Sequence, residues 1–137
     1  MQFVIDANEY IFGLGPSKRE SSESLLKLVA RIPSRYSFRI CRTIVQEVRD
    51  NLSTQDFQTF IKLISIVATI DEDLLVPFEL GAKYEAEGLK AADAFIAAYT
   101  EWTGADAIVT ENRHFLSRHD DLPFKVLTAE ACLKFLK

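Results

Sequence analysis

Acid- and amide-bearing side chains stand at comparable places along the chain. Asp6 ends the apolar run "QFVI", Glu47 sits in "TIVQEV" just past a second apolar run, Asp93 opens "KAADAFIAAYTEW", and "TENRHF", with Glu111 and Asn112, follows another apolar run. In open α/β sheets, ligands bind outside the carboxyl ends of the strands, where loops feed the following helices. Residues at these places can therefore converge. Two unit charges ~5 Å apart repel by roughly 3 kcal/mol at an effective dielectric of about 20, so three gathered carboxylates call for a cation between them. The donors are oxygens, and neither His114 nor His119 belongs to an HExxH or Cys/His pattern, which selects Mg²⁺ (or Mn²⁺) over zinc. Carboxylate-held Mg²⁺ activates water and neutralises charge on a phosphate, so the chemistry indicated is phosphodiester hydrolysis. The chain has no GxxxxGK[ST] loop, no GxGxxG after the first run, no GxSxG elbow and no Cys–His nucleophile pair.

Each residue has a plainer structural reading. Asp6 can be a strand-end turn residue or the N-cap of a short helix through "ANEYIF". Glu47, early on a helix, is favoured there by the macrodipole alone, and Asp93 can be an N-cap or first-turn acid. Asp106, in "GAD", reads as a turn residue before a strand. It is the recurrence of acids at equivalent strand edges that favours a joint site over separate caps.

The elements that must position them follow from apolar patterning. "QFVI", "YSFRIC", "SIVATI", "DAIVT" and "FKVLT" read as five short buried strands separated by helical stretches, the alternation of a parallel α/β sheet. "TIVQEVRDNL" carries a capping-box pattern, with Thr43 as cap and Gln46 reaching back. Pro77 suits a first helical turn and Gly88 a C′ position, so one helix ends near Glu87 and another begins with the Asp93 segment. Thr128 is placed to cap the closing helix.

The 137 residues are 48% hydrophobic and 26% charged, ordinary globular usage for a single domain over residues 1–137. The opening segment has no leader-like pattern and no apolar run approaches membrane-span length, so a cytoplasmic protein with no membrane partner is expected. Cys41 and Cys132 fit neither a disulfide framework nor a zinc knuckle. The net charge of −4 argues against a broadly basic surface, but the signs are segregated: residues 71–87 hold six acids and one Lys, whereas residues 18–49 are rich in Arg and Lys.

These motifs resemble those of the PIN-domain nucleases, and among them the small VapC-type toxins of toxin–antitoxin pairs. "FVIDANEYIF" is similar to the family's opening strand with its D-[TSA]-[NS] signature, "TIVQEV" to its second acidic motif, and "LKAADAFIAAYTEWTGADAIVTENRHF" to its third, closed by "T-x-[DN]-x-x-F". The resemblance implies a single-domain three-layer α/β/α PIN-like fold with a central parallel sheet of four to five strands. It implies that Asp6, Glu47 and Asp93 hold the metal, that Asn8 and Thr110 support them by hydrogen bonding, and that Asn112 takes the position of the family's fourth acid. An amide there offers a carbonyl oxygen but no charge, with Glu111 the substitute if the loop shifts by one residue. It further implies RNA as substrate, cut by metal-activated water to leave a 3′-hydroxyl and a 5′-phosphate, with a cognate antitoxin and a second copy of the chain as partners. Arg113, with Arg42 or Arg49, is the candidate phosphate contact, although a solvated loop charge explains Arg113 equally well; His114 and His119 read as surface residues. The competing expectation is a degenerate PIN-like module that binds RNA or a protein without cleavage.

Overall fold

A computed structural model of the chain describes residues 1–32, 35–117 and 122–137. His119 lies outside the described residues. Five parallel strands, β1 (Gln2–Ile5), β2 (Ser37–Cys41), β3 (Ala68–Asp71), β4 (Ala107–Val109) and β5 (Lys125–Leu127), form one sheet in the order β3-β2-β1-β4-β5. The pairing places Phe3 beside Phe38 on one side and Ala107 on the other. β1 and β4 are central, and Phe3, Val4, Ala107, Ile108 and Val109 are all fully buried, as strands covered on both faces require.

Helices α1 (Ala7–Leu14) and α2 (Glu20–Arg31) link β1 to β2, and α3 (Arg42–Asn51) and α4 (Thr54–Val67) link β2 to β3. After a short 3₁₀ turn at Asp73–Leu75, helices α5 (Phe78–Ala86) and α6 (Ala91–Thr103) carry the chain back across the sheet to β4. A single turn, α7 (Arg113–Leu116), precedes β5, and α8 (Ala129–Leu136) closes the chain. The helices pack in two groups: α1 through α4 with α8, and α5 with α6. From β1 the chain proceeds outward through β2 and β3, whereas from β4 it proceeds the other way, to β5. The connections leaving β1 and β4 thus diverge, opening a crevice at the carboxyl ends of these two neighbours.

Several expectations are corrected. "SIVATI" is not one strand: Ser65–Val67 complete α4, whose apolar stripe of Phe60, Ile64 and Val67 has helical spacing, and only Ala68–Asp71 are extended. The capping box does not form. α3 begins after Cys41 with no side-chain cap, because the Thr43 hydroxyl donates to Asp73 at 2.6 Å and Gln46 donates to Asp50 at 2.9 Å. Pro77 stands at the N-cap of α5, one residue before the first turn. The expectation of four to five strands in a PIN-like three-layer fold is replaced by the five-stranded sheet and eight α-helices found among the described residues.

One buried network fixes α6 against the far edge of the sheet. Arg39 donates twice to Asp71, at 2.9 and 2.6 Å, and the Tyr99 hydroxyl donates to the same carboxylate at 2.6 Å. Burial alone would raise the Asp71 carboxyl, but the Arg39 guanidinium and the Tyr99 hydroxyl outweigh it and hold it below the usual carboxylate range. This ties β2, β3 and α6 together less than two turns beyond Asp93. At its other end α6 stops at Gly104, whose φ of 72° is readily accessible only to glycine.

Candidate active site

The crevice is a cavity of about 490 Å³, and Asp6, Asn8, Glu47, Asp93 and Asn112 all line it. Asp6 caps α1, its Oδ1 accepting from the Ala7 N–H at 2.8 Å; the plainer reading of this residue therefore holds alongside its place in the cavity. Its Oδ2 accepts from the Thr110 hydroxyl at 2.8 Å, so β4 also fixes it. The Thr110 oxygen in turn accepts from the Asn112 N–H at 3.0 Å, and the Asn112 side-chain amide donates to Asp93 Oδ1 at 3.0 Å. A continuous chain of hydrogen bonds, Asp6–Thr110–Asn112–Asp93, thus connects the ends of β1 and β4 to the first turn of α6.

Glu47 enters from α3, where Thr43, Glu47 and Asn51 share a helical face and line the cavity together. Apolar walls come from Ile11, Phe12, Ile96 and Phe115. The electrostatics are those of crowded like charges in partly dry surroundings. Burial raises the Asp6 carboxyl and Asp93 raises it further, against the opposing hydrogen bonds from Thr110 and Ala7. Partial burial also raises Glu47, with the charges of Asp6 and Asp93 adding to it.

Asn112 is placed differently from expectation. Its carbonyl oxygen caps α7 by accepting from the His114 N–H at 2.9 Å, so its NH₂, not its oxygen, faces Asp93. Glu111 does not replace it: it is absent from the cavity lining and accepts instead from the Ala129 N–H at the start of α8, at 2.9 Å. Asn8 lines the cavity, but among the described residues no hydrogen bond joins its side chain to the acids. Arg113 and His114 are exposed on α7 and Arg113 does not line the cavity, while Arg42 is held by Glu72 at 2.9 Å. Asp106 stands in the bend before β4, as expected, and its carboxylate accepts from the Gln2 N–H of β1 at 2.8 Å.

Glu9 has no counterpart in the expectations. It is fully buried one turn below Asp6, accepts from the Ser22 hydroxyl at 2.9 Å, and its Oε2 meets no donor. Burial, with Glu111 close by, pushes its carboxyl up to about 8, and a proton kept on Glu9 turns the contact between the two carboxyl groups into a hydrogen bond. The available signal was one charged residue inside the apolar stretch "ANEYIF", which looks like any solvated helix residue without knowledge of the face it takes.

Among the described residues no three His, Cys, Asp or Glu side chains form a ready-made metal cage. Mg²⁺ does not demand one, since it keeps several of its waters and is commonly held through one or two carboxylates. The donor set here, oxygen-only, mutually repelling and open to solvent on one side, fits a hydrated hard cation and does not fit zinc.

The class these features define is a parallel α/β chain with an acidic crevice at the strand ends. No family model and no curated relative matches it in sequence. Its fold is similar to that of a chain in the crystal structure of VapBC2 from Rickettsia felis bound to a DNA fragment from their promoter, with 18% identity, a TM-score of 0.63, and coverage of 93% of this chain and 98% of that one. It is also similar to a chain in the structure of FitAcB from Neisseria gonorrhoeae, with 15% identity, a TM-score of 0.57 and the same coverages. These likenesses lie in complexes of more than one component and at identities that carry the fold alone. The PIN-like fold name is thereby corrected to a five-stranded parallel α/β fold shared with a chain of such complexes.

Proposed function

We propose that the chain is a Mg²⁺-dependent endoribonuclease, the toxin component of a toxin–antitoxin pair, with its cognate antitoxin and a second copy of itself as partners. The observation that carries this reading is the gathering of Asp6, Glu47 and Asp93 around one cavity, with the carboxyls of Asp6 and Glu47 raised by burial and further by their neighbours' charge. Asp6, Glu47 and Asp93 would hold the ion, which when bound supplies an activated water and offsets charge on the phosphate. The chain's own residues then have separable tasks. Thr110 fixes the Asp6 carboxylate, Asn112 fixes that of Asp93, and the walls of Phe12, Ile96 and Phe115 limit bulk water.

The role in a pair is supported by the likeness to chains named as parts of VapBC2 and FitAcB. It is supported as well by Leu74, 97% exposed, and Phe78, 85% exposed, which together with Leu75 make the kind of apolar surface that partners cover. No helix among the described residues is long and apolar enough to cross a membrane.

Purified protein is expected to cleave single-stranded RNA with Mg²⁺, to stop in EDTA, and to stop again in Asp6→Asn and Asp93→Asn. Cleavage unchanged in both variants would sink the reading. A second reading, a module that binds RNA or protein without cutting, draws on Asn112, whose carbonyl is spent on capping α7. Calorimetry separates the two: heat of divalent-ion binding that vanishes in Asp93→Asn belongs to the nuclease, and no binding at millimolar ion belongs to the module.

A further inference from the structure

Helix α3 is a ridge with two working faces. Thr43, Glu47 and Asn51 face the acidic cavity, while Arg42, Val45, Gln46, Arg49 and Asp50 face a second cleft of about 750 Å³ completed by Phe57 and Ile61 of α4 and by Asp73. Thr43 and Glu47 line both, so the two hollows adjoin across the ridge. A polyanion whose scissile phosphate sits among three carboxylates needs cationic help nearby, and the charges in the second cleft are unequally committed. Glu72 holds Arg42, Gln46 donates to Asp50, and Thr43 donates to Asp73. Arg49 is exposed and, among the described residues, has no carboxylate partner. Phe57 is half-buried, its ring 5.6 Å from that of Phe60, which leaves an anchored aromatic in the cleft beside the free cation.

The geometry points to this second cleft as a subsite for a nucleotide flanking the scissile bond of a single-stranded nucleic acid, with Arg49 contacting its phosphate and Phe57 its base. A free guanidinium and an aromatic face in one groove are the pair that single strands use, charge tracking the backbone and a ring receiving a base. A duplex keeps its bases stacked inside and cannot offer one to Phe57. The inference rests on the nuclease reading for the position of the scissile bond, but not for the binding itself.

The test is fluorescence anisotropy of a labelled single-stranded RNA octamer in EDTA, where no cutting occurs, beside its duplex form. Wild-type protein is expected to prefer the single strand. Arg49→Ala is expected to weaken binding several-fold and to lower the slope of log K against log salt by about one. Arg49→Lys, which keeps the charge and its place in the last turn of α3, restores both. Phe57→Leu keeps the apolar volume and is expected to weaken binding several-fold without changing the salt slope. Equal binding by wild type, Arg49→Ala and Phe57→Leu, or no binding of the octamer by wild type, overturns the subsite. Cleavage with Mg²⁺, measured separately on the wild type, tells its failure apart from that of the nuclease reading: cutting with unchanged binding in the variants removes the subsite alone, and variant-sensitive binding without cutting removes the nuclease alone.

Discussion

The side-chain amide of Asn112 donates to Asp93 at 3.0 Å while its carbonyl caps α7 through the His114 N–H at 2.9 Å. The two contacts fix which end of the amide faces the cavity, since only the oxygen can accept from a backbone N–H and only the NH₂ can donate to a carboxylate. Asn112→Asp keeps the cap, because Asp caps as well as Asn, but sets a carboxylate against a carboxylate. The variant is expected to lose about 1 kcal/mol of stability in EDTA and to regain it as Mg²⁺ is added, with tighter ion binding than wild type. Melting curves with and without Mg²⁺ measure both, and a variant as stable as wild type in EDTA would mean that the Asn112–Asp93 contact contributes nothing.

Asp93 stands in the first turn of α6, where it also favours the helix dipole. If that were its whole task, Asp93→Asn would lose only a few tenths of a kcal/mol and nothing else would change. As a metal-holding residue it predicts a different result: intact folding, stability in EDTA equal to or above wild type because the repulsion with Asp6 is gone, and loss of both ion binding and cleavage. Calorimetry beside a melting curve separates the two.

Thr110 is fully buried and joins Asp6 to the Asn112 backbone. Thr110→Val keeps the shape, but removes the hydroxyl that donates to Asp6 and accepts from the Asn112 N–H. The expected loss is on the order of 1–3 kcal/mol, the range for leaving buried partners unsatisfied. The Asp6 carboxyl should titrate higher still, since the Thr110 hydrogen bond opposes the effect of burial. A titration of Asp6 followed by NMR that is unmoved in the variant would contradict this.

The parts of the candidate site legible in the sequence are those where residue type and strand-edge position coincide. Asp6, Glu47 and Asp93 are read from local runs, and all three line one cavity at the end of β1, which lies between β2 and β4. What was not legible depends on partners distant in the chain. Thr43 looks like a cap until Asp73, thirty residues on, takes its hydroxyl. Glu9 looks solvated until Ser22 and Glu111 enclose it. The α4–β3 boundary was misplaced because "SIVATI" is β-rich in composition, while the packing of Ile64 and Val67 keeps helical spacing to its end.

The buried Glu9 makes the protein's stability depend on pH in a definite direction. Its carboxyl is raised by burial and then by Glu111 to about 8, against an ordinary value of 4.5 in the unfolded chain. Between these two values the folded protein keeps a proton that the unfolded chain has released, so the unfolded state binds fewer protons and stability falls as pH rises. Below 4.5 both states are protonated and the folded state keeps its full advantage; above about 8 both are ionised and the curve levels. Asp6 and Glu47, also raised, slope the same way, whereas Asp71, held low by Arg39 and Tyr99, loses its contribution only on the acid side. Without divalent ions the protein should therefore be more stable near pH 5.5 than near pH 8, by an amount on the order of a few kcal/mol. Glu9→Gln isolates the residue, because its oxygen still accepts from Ser22 and its NH₂ donates to Glu111 without any proton to lose. Urea midpoints across this range should fall less steeply with pH in Glu9→Gln than in wild type, the two curves separating most near pH 8. Parallel curves would mean that Glu9 releases its proton as an ordinary glutamate does.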